Sequence, residues 1–260
     1  MQNFIFFDID GTIISEDGFL PESAVHAIRA ARTKGNATLI NTGRTAMNVD
    51  PFLKEIGFDG YIYGCGTELE YDGKILFHET QTPELSREIV ELVRRTNVAV
   101  LYERSDAMFY DPKTRMLPGL EELLELYTRK HTAFATVPET PDWYTDKFVI
   151  WYDEKSDLAG FQKGIQGKFD YIDRGNNFAE IVPCGCSKAK GMAKLMELFG
   201  AEREQVFAIG DSLNDRPMLE FAGTGIAMGD NPMLHPYADY ITANLKEDGL
   251  EKALAHFNLI

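Results

Sequence analysis

Cysteine is scarce in this sequence: three in 260 residues, at Cys65, Cys184 and Cys186. An odd, sparse set is not a disulfide framework. Cys184-Gly-Cys186 lacks the second Cys or His pair that a zinc site needs, so reduced thiols are the simpler reading. Basic residues are also short, 26 Lys+Arg against 41 Asp+Glu, for a net charge of −15. That balance argues against nucleic acid or an anionic membrane as the main partner. A small anionic substrate stays open, because a bound cation and a few local Lys or Arg set the sign inside a cleft. No uninterrupted apolar run approaches a membrane span, and no basic segment leads into an apolar one at the start. Asp8 lies too near that start for a cleaved leader to be expected. No G-x-x-x-x-G-K-[ST] occurs, which argues against an NTP-binding loop, and Gly223-Thr-Gly225-Ile-Ala-Met-Gly229 is one residue too long for G-x-G-x-x-G. There is no internal repeat or low-complexity tract. The expectation is a cytoplasmic protein.

What is present is 44% hydrophobic residues, enough for one large domain or two smaller ones. Apolar runs alternate with helical patterns. Phe4–Phe7 reads as a strand, Pro21–Lys34 as a helix, Ala37–Asn41 as a strand, Ala46–Ile56 as a helix and Tyr61–Tyr63 as a strand. A hairpin follows around Asp72-Gly73, a strong two-residue turn. Strands separated by helices predict a doubly wound parallel sheet, an α/β Rossmann-like core. From Pro83 the pattern changes to helices grouped with paired strands: helices at 84–95, 119–130 and 158–165, strands at 99–103, 107–111, 147–152, 169–173 and 178–182. That describes an inserted α+β domain over residues 83–183, with the core formed by 1–82 and 184–260. The first pattern resumes with helix Ser187–Phe199, strand Val206–Ile209, helix Asn214–Phe221, strand Gly225–Met228, a strand near Tyr240–Thr242 and helix Glu247–His256.

Three polar clusters follow apolar strands. Asp8 and Asp10 end the first. Residues i and i+2 of an extended segment point to one side, and two carboxylates ~4 Å apart repel by about 4 kcal/mol at an effective dielectric of 20. A cation between them or a shared proton relieves that; an Asp-Gly turn with a solvated neighbour is the bland alternative. Asn41-Thr42-Gly43-Arg44 offers a hydroxyl, a glycine and a guanidinium to a phosphate, or else an N-cap Thr and a solvated Arg. In Gly210-Asp211-Ser-Leu-Asn214-Asp215, Asp211 suits a hard cation, while Asn214 and Asp215 cap the next helix or support the ligands. Lys188, with Lys190 beside it, opens a helix at the end where lysine is least favoured. In a doubly wound sheet the carboxyl ends of the strands share one edge, so Asp8, Asp10, Thr42 and Asp211 should converge, with Lys188 reaching in. Acids, a cation, a hydroxyl and a lysine around one point fit phosphoryl transfer.

Together these residues resemble the haloacid dehalogenase superfamily of phosphohydrolases, whose four signatures match in order: Asp8-Ile-Asp10-Gly-Thr12, Thr42 in Thr-Gly-Arg, Lys188, and Gly210-Asp211-x-x-Asn214-Asp215. The insert resembles the subclass IIB cap of Cof-type phosphatases. The resemblance implies Asp8 as nucleophile, forming an aspartyl-phosphate, and Asp10 as the acid that protonates the leaving oxygen and then activates water. It implies Mg²⁺ held by Asp8, the Asp10 backbone carbonyl and Asp211. Thr42 and Lys188 would bind the phosphoryl group, Gly43 and Arg44 would complete the second signature, and Asn214 and Asp215 would steady the Mg²⁺ shell and Lys188. The implied substrate is a small phosphorylated metabolite, most simply a sugar phosphate. Two departures stand out: Cys65-Gly66-Thr67 replaces Asn-Gly-Ala, and Ser187-Lys188-Ala189-Lys190-Gly191 offers two lysines, of which Lys188 keeps the spacing to Leu195. A phosphosugar mutase, a non-enzymatic switch phosphorylated on Asp8, and a metal-binding structural module are the alternatives; Asp10, an acid–base group that promotes turnover, argues against the switch.

Overall fold

The computed structural model describes residues 2–15, 17–130, 132–229 and 231–260. The chain divides into two compact units: Met1–Gly43, Val49–Phe77 and Ser187–Ile260 in the first, Arg44–Asn48 and His78–Cys186 in the second. In chain order the first unit begins with β1 (Phe4–Phe7), α1 (Glu22–Thr33), β2 (Ala37–Asn41), α2 (Pro51–Lys54), β3 (Gly60–Tyr63), β4 (Glu68–Tyr71) and β5 (Lys74–His78). The second contains α3 (Pro83–Thr96), β6 (Ala99–Glu103), β7 (Met108–Tyr110), α4 (Pro118–Arg129), β8 (Phe134–Thr136), β9 (Lys147–Trp151), α5 (Leu158–Ile165), β10 (Phe169–Asp173) and β11 (Phe178–Pro183). The chain returns to the first with α6 (Lys188–Phe199), β12 (Val206–Gly210), α7 (Arg216–Phe221), β13 (Thr224–Ala227), β14 (Tyr240–Ile241) and α8 (Gly249–His256).

The first unit is built on an eight-stranded sheet in the order β14-β13-β12-β1-β2-β3-β4-β5. It is parallel from β14 to β3, and β4 runs back antiparallel to β3. The chain leaves β1 toward β2 on one side and reaches β12 on the other. That reversal opens a crevice at the carboxyl ends of the strands. The register aligns those ends: Phe7 pairs with Ile40 of β2 and Ile209 of β12. On one face, Phe4, Phe6, Leu39 and Ala208 pack against Met192 and Leu195 of α6 and Met218 and Leu219 of α7. The second unit is a six-stranded sheet, β10-β11-β9-β6-β7-β8, antiparallel except for the β7–β8 pair. Its helices cover both faces: Ile89 and Val93 of α3 and Phe161 of α5 pack with Val100, Phe148 and Ile150, while Leu120 and Tyr127 of α4 pack with Leu101 and Val149.

Four elements depart from expectation for local reasons. The helix expected over 46–56 is a 3₁₀ turn, Ala46–Asn48, and the short α2, because Pro51 drives Asp50 to extended backbone at ψ 136°. α7 begins at Arg216 rather than Asn214, the loop before it being held by the Asp215 carboxylate. α8 begins at Gly249, since Asp248 takes φ 60°. β8 escaped notice: three residues at a sheet edge are too few to show alternation.

Candidate active site

β1 ends in Asp8, whose backbone N–H still donates to Ile209 O at 3.0 Å, as one last rung to β12. The chain then folds over itself: the Ile13 and Ile14 amides both donate to Ile9 O, at 2.9 and 3.0 Å. The expectation that Asp8 and Asp10 share a side rested on an extended strand, and the turn removes that basis. Asp8 is buried and Asp10 is exposed, bridged to Ile14. Gly11 completes the turn at φ 81°, and a Cβ there would lie 2.1 Å from Asp211 Oδ2. Only glycine lets the loop pass that carboxylate.

Asp211 follows the end of β12. Its N–H and that of Ser212 donate to Asp215 Oδ2 at 3.0 and 3.2 Å, and the other Asp215 oxygen accepts from Lys188 Nζ. The same ammonium donates to Asp8 Oδ1 at 2.6 Å. Lys188 thus joins the two motif aspartates, and it is itself buried; Lys190 is exposed, its amide capped by Ser187 Oγ. Thr42, 1% exposed, is held at both backbone ends: its N–H donates to Ile62 O and its carbonyl accepts from Cys65 N, both at 2.9 Å. Arg44 groups with the second unit, and its guanidinium donates to Asn48 O at 3.3 Å. Asn214 sits beside the cluster, its carboxamide oxygen accepting from Ser212 Oγ.

What brings Lys188 here is a pair of close glycine contacts between the end of β3 and α6. Gly64, Cys65 and Gly66 take φ values of 57°, 57° and 90° in succession. A Cβ on Gly66 would lie 2.4 Å from Ser187 O, and one on Gly191 would lie 2.5 Å from Ile62 Cγ2. The two glycines let the first turn of α6 lie against the end of β3. The cue was there in Gly66 and Gly191, but pairing them requires knowing that β3 and α6 are neighbours.

Asp8, Asp211 and Asp215 each bring a carboxylate oxygen within 4.8 Å of the others. One lysine against three acids leaves the site electron-rich. Burial, then the charge of Asp215, pushes the Asp8 carboxyl up to about 7 despite Lys188, with Asp10 adding to the rise. Burial and the charges of Asp8 and Asp215 push Asp211 up to about 8. For Lys188 burial works against the charged form, but Asp215 and Asp8 outweigh it and raise the ammonium's pKa far above its usual value. Among the described residues Asp211 Oδ1 is buried without a hydrogen-bond partner. A buried orphan oxygen beside two further carboxylates suits a hard divalent cation, which takes oxygen ligands. Asp215 already engages both of its oxygens, so Asp8 and Asp211 are the side chains placed to hold it. Gly11→Ala should therefore cost about 2 kcal/mol through backbone strain and contact with Asp211. It should also weaken Mg²⁺ binding in calorimetric titration; undiminished binding would show that Gly11 does not set the Asp211 position.

The chain is similar to known proteins over nearly its whole length. Residues 5–254 match the haloacid dehalogenase-like hydrolase family. Bacillus subtilis (strain 168) YkrA is 28% identical over 100% of this chain and 99% of its own. The pyridoxal phosphate phosphatase YbhA of Escherichia coli (strain K12) is 30% identical, over 87% of each. The solved structure of the subclass IIB sugar phosphatase BT4131 superposes with a TM-score of 0.84 at 25% identity, covering 100% of both chains. A match from β1 to α8, with the motif aspartates and lysine meeting at one sheet edge, leaves one assignment: the chain belongs to the haloacid dehalogenase-like hydrolase family, as a phosphohydrolase of its Cof-type branch.

Proposed function

We propose that this protein is a Mg²⁺-dependent phosphatase of small phosphate monoesters, sugar phosphates first among them, acting through a phosphoryl group carried on Asp8. The observation that carries the reading is Lys188, buried and bonded to Asp8 at 2.6 Å and to Asp215, beside the orphan oxygen of Asp211. A carboxylate so placed is a nucleophile already aligned, and a covalent intermediate divides one hard step into two. An Asp8 oxygen attacks phosphorus while the ester oxygen leaves with a proton from Asp10. Asp10 then takes a proton from water, which attacks the phosphorus of the acyl phosphate and returns Asp8 with inorganic phosphate. Asp10 is suited to this exchange by its solvent-exposed place on the turn. Thr42 and Lys188 bind the phosphoryl oxygens, and the fixed ammonium offsets charge that grows in the transition state. When bound, Mg²⁺ supplies further charge neutralisation and orients the ester. The second unit serves as the cap that selects the leaving group.

Support for small metabolites comes from relatives whose names specify a pyridoxal phosphate phosphatase and a sugar phosphatase. The test is phosphate release from a panel of sugar phosphates, nucleotides, pyridoxal phosphate and an aryl phosphate, with Mg²⁺ and with EDTA. Sugar phosphates should rank highest, and chelation should reduce release by about 100-fold or more. Release that survives chelation, or none from any ester, would overturn the proposal.

A further inference from the structure

Asn41 is the last residue of β2, wholly buried, immediately before Thr42. Its position is unusual for its chemistry. Asparagine is depleted in strands, and a buried carboxamide asks for partners on both its oxygen and its nitrogen. Two residues earlier on the same strand face, Leu39 packs against Met192 and Leu195 of α6 and Met218 of α7. An aliphatic residue at 41 would continue that surface. Instead the Asn41 Nδ2 donates to Lys188 O at 3.2 Å and toward Met218 Sδ at 3.6 Å. Its Oδ1 is buried without a partner among the described residues. Thioether sulfur is a weak acceptor, so the strong bond of this side chain goes to the backbone of Lys188.

Lys188 is the first residue of α6, after the N-cap Ser187. A carbonyl at that position accepts its helical bond from an amide four residues on, and its second lone pair is left for a side chain. Asn41 takes it. The bond ties the first turn of α6 to the strand end that carries Thr42. Lys188 then has three fixed points, with its carbonyl on Asn41 and its ammonium on Asp8 and Asp215.

We propose that Asn41 is a positioning residue: its Nδ2–H bond to Lys188 O sets the spacing between the Thr42 hydroxyl and the Lys188 ammonium, the two groups that hold the transferring phosphoryl. This rests on the phosphatase reading above. It acts through Lys188 and touches no substrate.

The test uses Asn41→Leu, which fills the space without the donor, and Asn41→Ala as a second variant should the first misfold. With turnover normalised to folded protein, kcat should fall about tenfold while KM for the best ester stays within about twofold, since a displaced ammonium weakens the transition state more than the bound ester. Amide hydrogen exchange at residues 188–192, followed in metal-free protein, should quicken relative to wild type. A kcat within about twofold of wild type, a loss carried by KM alone, or unchanged exchange at 188–192 would overturn the assignment. Absence of turnover in the wild type would instead sink the phosphatase reading, and the exchange comparison would then decide by itself whether Asn41 holds the turn.

Discussion

Asp8→Asn should leave a folded protein whose phosphate release is lower by about 10⁴-fold or more. The amide keeps the shape of the carboxylate, and its oxygen still accepts from the Lys188 ammonium that now bonds Asp8 Oδ1 at 2.6 Å. What it lacks is the anionic oxygen that the proposed reaction uses as nucleophile. A variant that retained more than about 1% of wild-type release would show that the reaction does not pass through Asp8. The same substitution has a second, opposite effect on stability in metal-free protein. Asp8 ionises near 7 when folded against an ordinary 3.8, mainly because of burial. A carboxyl raised in this way binds more protons folded than unfolded. Its contribution is fully present below about 4 and is lost as pH climbs through the folded value. Asp211, raised to about 8, adds to the trend. In EDTA, wild-type Tm should therefore fall between about pH 5 and 8, and Asp8→Asn should flatten the slope. Mg²⁺ should reverse it, because a cation binds the folded, ionised carboxylates and not the unfolded chain. A metal-free Tm that rose with pH over this range would contradict the sign.

Much of this site was legible because its determinants are local. Four apolar residues running into Asp8 mark both the strand and its end, and the run before Asp211 does the same for β12. Parallel topology then forces the two ends onto one edge, so the meeting of Asp8 with Asp211 followed from order alone. Features set by contacts between distant segments were not readable. Lys188 and Lys190 differ by two residues, about 200° around a helix, so one faces the strands and the other solvent. The spacing to Leu195 pointed to Lys188 with Ser187 as the cap; what the spacing did not show is how Gly66 meets α6 and turns that lysine inward. Asp215 by its spacing read equally well as a cap; only the resemblance pointed to its hold on Lys188, which the bond between them now shows. Asn41 gave no signal, because a single polar residue at a strand end is unremarkable until Lys188 O is found beside it. The 46–56 helix failed for a local reason: Pro51 holds Asp50 in extended backbone and breaks the segment in two.

Lys188→Met should be the most destabilising single change in the site. It removes the one ammonium that, among the described residues, bonds Asp8 and Asp215, and leaves three carboxylates with oxygens within 4.8 Å of one another. Asp215 is wholly buried, and its remaining support is two backbone amides. Breaking a buried pair by deleting one partner typically costs 3–5 kcal/mol, because the charge left behind is neither solvated nor paired. The expected loss in EDTA at pH 7 is therefore about 3 kcal/mol or more, a Tm drop on the order of 10 °C. Two conditions should shrink it. Lowering the pH to about 5 completes the protonation of Asp8 and Asp211, and Mg²⁺ replaces the missing positive charge. The lysine itself does not titrate here: its folded pKa lies above the usual 10.5, so its contribution is constant below that value. Lys190→Met is the matched control, the same chemical change on an exposed residue two positions away, and should stay within about 0.5 kcal/mol of wild type. Phosphate release should follow the same division, falling by about 10³-fold in the first variant and hardly at all in the second. Equal effects from the two substitutions would mean that the ammonium does not hold these carboxylates together. A loss in Lys188→Met that neither acid nor Mg²⁺ relieved would mean that its cause is lost packing of the lysine stem and not exposed negative charge.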